Sequence, residues 1–391
     1  MATAVLEKDR IDALGIKLIS ADNHVNEPRD LFIKRFPKHL QDKAPRVIEG
    51  KDGGEGWSID GKSPPKRTYG IEAMAGWDRK DYRISGLRYD QLRPGNYDGA
   101  EHLKDMDVDG VYASVTYPGF GPSFYTHPDK EVAAAGFTAY NDWILEDFQS
   151  ADPKRLCGLT MAPTELGMEF TVQEIERVAK KGARAMYIPG MPLIPYNHPT
   201  HYEPLWAAAA ANDITLCMHR NHGGPSDKSD WDFHDQDKVS IGGIVTRYFS
   251  CVRPYSYLIF TGIYDRYPNL KMVGAEVDCG WVPFWMQTLD HHWEIQTSWF
   301  PVKLQHPPSD FIGKNIFMTN VDDYCGYQMI GTGLWPKLAD MSMFSSDYPH
   351  SATIWPDSRA VALKMIEGVK DEDARKALCD NAVRVFRFDI S

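Results

Sequence analysis

The stretch LISADNHVNEP, residues 18–28, places Asp22 and His24 two positions apart at the end of an apolar run. Successive side chains of a strand alternate between its faces, so these two share a face and can converge on one ion. Two further apolar runs close the same way, ITLCMH (214–219) on His219 and MSMFSSD (341–347) on Asp347. Runs ending in imidazole or carboxylate are the pattern of a metal site built at strand ends. Two imidazoles with two carboxylates suit one or two divalent ions, Zn, Mn or Fe(II). Each residue also has a plain structural use: Asp22 and Asp347 as caps of a loop or turn, His219 as a hydrogen-bonded core histidine. The four together carry the metal reading.

Working outward, short apolar runs bounded by turn residues predict strands at 16–22, 110–116, 156–161, 184–188, 214–219, 270–276, 315–320 and 341–346. Segments of helical composition separate most of them, at 128–150, 170–181, 203–212, 255–267, 280–297 and 359–368. Such alternation predicts a parallel sheet, and eight strands are the count of a (β/α)8 barrel, with a doubly wound open sheet as the rival. In a barrel the C-terminal strand ends ring one mouth, and strands one and eight are neighbours. Asp22, His24, His219 and Asp347 then share that mouth. The Gly- and Pro-rich stretch at about 45–100 reads as an insertion after strand one, within a single barrel domain spanning 1–391. Over the mouth, it makes Trp57, Trp77 and Tyr82 candidates for a lid; packed on the outer helices, they are core. The stretch at 221–238, with His222 just upstream of its Gly–Gly–Pro, has the same two readings.

Composition bounds the function. Hydrophobic residues make up 43% and charged residues 25%, a balance that supports a full core, while 11 Trp, 19 Tyr and 17 Phe favour an apolar ligand pocket. A net charge of -11 without a basic run excludes nucleic acid and anionic membrane as electrostatic partners. The six cysteines form no CxxC pair, which argues against a zinc ribbon or a redox motif. The first residues, MATAVLEKDRIDALG, carry charges where a signal peptide needs apolar side chains, and no run of about 18 apolar residues follows. A cytoplasmic enzyme with a small-molecule substrate is the expectation, as a homo-oligomer, with a homodimer the default.

DNHVNEP at 22–28, MH at 218–219, the long segment 260–294, FSSDYPHSATIWPDS at 344–358 and DNAVRVFRFD at 380–389 together resemble the amidohydrolase superfamily, in the amidohydrolase-related branch that also contains non-oxidative decarboxylases. The resemblance implies a distorted TIM barrel with metal at its C-terminal mouth. It also implies Asp22 and His24 as the first-strand ligand pair, His219 as the fifth-strand ligand and Asp347 as the eighth-strand aspartate. Two positions depart from the better-known members: Asp22 replaces the first histidine of HxH, and KMVGAEVDCGW offers Glu276 where many relatives end strand six in histidine. ARAMYIPG on strand four has no lysine to bridge two ions.

Glu27 and Glu276 extend the candidate ligand set. Glu27 reads either as a ligand or as a hydrogen-bonding support for His24. Glu276 reads as ligand, general acid/base or partner of a backbone amide. Asp347 is the candidate base for water, and His350 or Glu276 the candidate acid for a leaving group. The leading expectation is a metal-dependent hydrolase of an ester, thioester or amide of a bulky apolar carboxylic acid. Two alternatives stand beside it: a non-oxidative decarboxylase or related lyase of an aromatic or unsaturated acid, and a catalytically inactive barrel used for binding.

Overall fold

Each of the eight apolar runs becomes a buried strand in the computed structural model, which describes residues 9–219, 245–296, 298–299 and 303–390. Numbered along the chain, the strands are β1 (Ile19–His24), β2 (Arg46–Glu49), β3 (Glu55–Ser58), β4 (Ala113–Tyr117), β5 (Leu156–Gly158), β6 (Thr160–Met161), β7 (Ala185–Tyr187), β8 (Thr215–His219), β9 (Met272–Ala275), β10 (Ile316–Asn320) and β11 (Ser342–Phe344). All but β2 and β3 pair in parallel, in the orders β1-β4-β5 and β11-β10-β9-β8-β7-β6. The run at 156–161 is thus split at Leu159, whose amide bonds Thr116 of β4 at 3.0 Å before β6 turns to β7. At the other seam, the Asp347 amide donates to the Asp22 carbonyl at 3.0 Å and the His24 amide to the Tyr348 carbonyl at 2.6 Å. The arrangement is a distorted (β/α)8 barrel, as the alternation predicts.

Val115, Leu216, Val273, Phe317 and Met343 are fully buried strand residues of one apolar core. Helices Lys130–Trp143, Met168–Lys180, Glu203–Ala211, Val252–Phe260, Val282–Gln296 and Ser358–Met365 fall where the sequence predicts them. Helix Gly99–Asp109 does not. Its buried positions include His102, Asp105 and Asp109, polar residues that break the apolar periodicity a helix is recognised by. It starts at Asp98, whose carboxylate accepts from the Ala100 and Glu101 amides, and stops at Gly110 in the left-handed region, φ 73°.

Between β1 and β4, β2 and β3 form an antiparallel hairpin. A small separate cluster of Val47, Tyr69, Met74, Leu87, Tyr89 and Leu92 consolidates this segment, with Trp77 and Tyr82 packed against it. Among the described residues no helix is long and apolar enough to cross a membrane. His222 and the stretch 221–238 lie outside the described residues.

Candidate metal centre

The C-terminal ends of β1, β8, β9 and β11 deliver the candidate ligands to one buried spot. Parallel register sets His219 beside Ala275, so the next residue, Glu276, emerges level with it. Glu276 and Asp347 both adopt left-handed backbone, φ 57° and 52°. Such conformations are costly for residues with a Cβ, and persist where the surroundings over-determine them. Here each re-aims a carboxylate just past a strand end.

His24 Nε2 lies 3.4 Å from Asp22 Oδ1 and 3.4 Å from Asp347 Oδ1, and 3.1 Å from His219 Nε2. His219 Nε2 is 3.8 Å from Asp22 Oδ2 and 3.3 Å from Glu276 Oε2. Donors each about 2.1 Å from a common tetrahedral or octahedral ion stand roughly 3.0–3.4 Å apart. Most of these separations match. Both oxygens of Asp347 are buried, and no donor among the described residues makes a well-formed hydrogen bond to either. Two imidazole nitrogens facing each other beside such a carboxylate are what a divalent cation would satisfy. Two overlapping groups, Asp22–His24–His219 and His24–Asp347–His350, each bring their donor atoms within 4.8 Å. The residues fit a divalent ion.

His350 completes the rim. Its Nδ1 sits 2.8 Å from Asp347 Oδ1, its ring stacks on His24 at 3.8 Å, and its side chain keeps 21% of its surface exposed. Burial pulls its pKa down, but Asp347, Glu276 and Glu72 together outweigh that and leave it raised.

Glu27 is placed apart from these groups. It is fully buried, yet its Oε1 accepts from the amides of Gly119 (3.2 Å) and Gly121 (2.9 Å), and its Oε2 from Phe120 (2.8 Å). Three backbone amides engage the carboxylate, and Glu27 is in neither of the two groups of converging donors. Burial pushes its pKa up, against the pull of those amides. Thr319 is the residue that motif reading missed. Its hydroxyl accepts from the Glu276 amide at 2.8 Å and donates to Asp22 Oδ2 at 3.3 Å, tying two of the carboxylate-bearing residues together. It is the next-to-last residue of an expected strand, but threonine carries no ligand signal.

The ligand residues open into a cavity of about 760 Å³ whose lining includes His24, His219, Glu276, Asp347 and His350. Trp57, Tyr69 and Phe120 line it as well; of the three lid candidates, only Trp57 does so. Lys66, Arg67 and Arg247 are also on its walls.

The sequence profile of the family described as Amidohydrolase matches residues 90–323 and 337–388. No curated protein matches the sequence. Among solved structures, the fold is similar to an amidohydrolase from Mycobacterium avium subsp. paratuberculosis K-10, at 18% identity and TM-score 0.70 over 95% of this chain and 99% of that one. It is similar to 5-carboxyvanillate decarboxylase from Sphingomonas paucimobilis, at 21% identity and TM-score 0.67 over 96% of this chain and 100% of that one. A third similar structure is the dihydroxybenzoic acid decarboxylase from Polaromonas sp. JS666, with bound manganese and the inhibitor 2-nitroresorcinol, at 16% identity and TM-score 0.64 over 96% and 98% of the two chains. At these identities the likeness is one of fold.

Proposed function

From the premise that this chain belongs to the amidohydrolase family, we propose that it is a divalent-metal-dependent lyase that removes a carboxyl group from an aromatic or unsaturated acid. The observation that carries the reading is the buried donor set, spaced 3.1–3.4 Å in its closest pairs, on a cavity with aromatic side chains in its walls. Decarboxylases among the similar folds, one of them holding manganese, add support and move this reading ahead of hydrolysis. Asp22, His24, His219 and Asp347 would hold the ion, and Glu276 stands beside His219. When bound, the ion supplies positive charge that orients the substrate's carboxylate and a neighbouring oxygen and stabilises charge that develops as the bond breaks.

The chain's own residues do the rest. Thr319 fixes Asp22 and the backbone of Glu276, and His350 is held by its 2.8 Å ion-pair contact with Asp347. Loss of carbon dioxide breaks the carbon–carbon bond and leaves the electron pair on the substrate carbon, which then needs a proton. We assign His350 as the acid that gives it, because it lines the cavity and is oriented by Asp347. The segment 45–100 acts as a cover over the mouth.

One observation favours hydrolysis as the second reading. A carboxylate, Glu276, stands 3.3 Å from His219 on the cavity wall, at the position where the resemblance leads one to expect histidine. In that case Asp347 takes a proton from water and Glu276 or His350 protonates the leaving group. Manganese-, iron- and zinc-loaded protein incubated with hydroxybenzoates, aryl esters and acyl thioesters separates the two. Carbon dioxide release without acyl cleavage is the expected result; acyl cleavage without carbon dioxide overturns the lyase reading.

A further inference from the structure

Glu27 lies three residues beyond His24, yet it reaches away from the ligands to the loop 119–121. That loop is built tightly around it. A Cβ on Gly119 would stand 2.3 Å from the Val25 carbonyl oxygen, so only glycine lets the backbone come this close there, while one on Gly121 would press on the flexible end of Met161, 2.6 Å from its Cε. Between the two glycines is Phe120, whose ring stacks on Trp57 at 4.7 Å and 20°. Phe32 packs edge-on against both rings, at 5.3 Å and 5.7 Å. The Trp57–Phe120 pair therefore joins the hairpin β2–β3 to the loop after β4, and both residues line the cavity. Its position is set by the three amides that Glu27 gathers. A buried carboxylate accepting from three consecutive amides fixes a loop more firmly than neutral hydrogen bonds do.

The cavity is also large for a small acid. Pockets of about 300–1,000 Å³ typically take drug-sized ligands, and a monocyclic hydroxy acid of roughly ten heavy atoms would leave most of this one to water. We propose that the Trp57–Phe120 pair is the recognition wall for the apolar body of a substrate with more than one ring, and that Glu27 is the positioning residue that holds this wall. The assignment rests on the cavity being the substrate site of the proposed lyase. The acid head lies at the ligand end and the second ring reaches the wall, where its burial adds affinity that a one-ring acid does not gain.

Calorimetric titration of the manganese-loaded protein with 2-hydroxybenzoate and with 3-hydroxy-2-naphthoate tests this directly, since binding is read whether or not turnover follows. The two-ring acid is expected to bind about tenfold more tightly. Glu27→Gln puts an amide donor against at least one backbone N–H of the loop. It should remove most of that tenfold preference while metal content and one-ring affinity stay unchanged, and Glu27→Asp should recover part of it. Trp57→Ala, which leaves the Glu27 clamp intact, should remove the preference as well and covers the case in which Glu27→Gln fails to fold. Equal binding of the two acids, binding of neither, or a Trp57→Ala protein that keeps the preference overturns the proposal, as does metal loss from Glu27→Gln. If the preference behaves as expected but no acid releases carbon dioxide, the lyase reading falls and the wall stands. If one-ring acids are decarboxylated and neither variant changes ring-count selectivity, the wall falls and the lyase reading stands.

Discussion

Strand β1 feeds two buried polar clusters, and they are satisfied in opposite ways. Asp22 and His24 join His219, Glu276 and Asp347, where imidazole nitrogens meet at 3.1 Å and the Asp347 oxygens receive no well-formed hydrogen bond among the described residues. Asn23, between them, turns to a network that closes on itself. Its Oδ1 accepts from Ser20 (2.6 Å) and Ser346 (2.8 Å), and its Nδ2 meets His102 Nε2 at 3.3 Å. His102 Nδ1 bonds the Gly95 carbonyl at 2.8 Å, which makes Nε2 the acceptor, and Ser114 Oγ donates to it at 3.3 Å. Burial holds this imidazole neutral, its pKa pushed down to about 4. The difference teaches how to tell a ligand histidine from a structural one when both are buried: the structural ring bonds a backbone carbonyl and neighbouring side chains, whereas the ligand rings converge on each other among carboxylates.

The contrast breaks most visibly at Asp347. Asp347→Asn should strip the protein of metal and cut turnover by about a thousandfold or more, checked by metal analysis beside the activity assay. His350→Gln should keep the metal and lose about a hundredfold in kcat, in the range of a positioned general acid; loss of metal would instead make His350 a ligand. Thr319→Val should weaken metal affinity about tenfold, as removal of a group that orients a ligand does, measured by competition with a chelator. His102→Gln should leave metal and kcat alone and change stability only. The folded pKa of about 4 lies below the ordinary 6.5, so the unfolded chain takes up the proton first as pH falls. His102 therefore makes the natural protein lose about 3 kcal/mol between pH 6.5 and 4, with none of this loss above that window. Denaturant melts across this range should show a shallower slope for His102→Gln.

Much of this was legible from strand ends. Asp22, His24, His219 and Asp347 close apolar runs, and the barrel's parallel order brings such ends to one mouth whatever their separation in sequence. Glu276 was visible as a departure within its motif. What the sequence hides is the partner. Glu27 reads as a ligand in DNHVNEP because its three amides belong to residues 119–121, and an amide leaves no mark in a sequence. Thr319 and the helix Gly99–Asp109 are hidden for a related reason: their polar groups are used in the interior, against the rule that periodicity reads.

The backbone bonds that join β1 to the segment after β11 are made at Asp22, His24, Asp347 and Tyr348, so the ring is fastened by the ligand residues and their neighbour. An ion held there would act as a clasp on the two ends of the chain. Folding and loading then become one linked equilibrium: metal at a hundred times its Kd would add about 2.7 kcal/mol to stability. The same clasp means that no fragment ending before Asp347 holds the complete donor set, because the first strand supplies half of it and the last strand completes it.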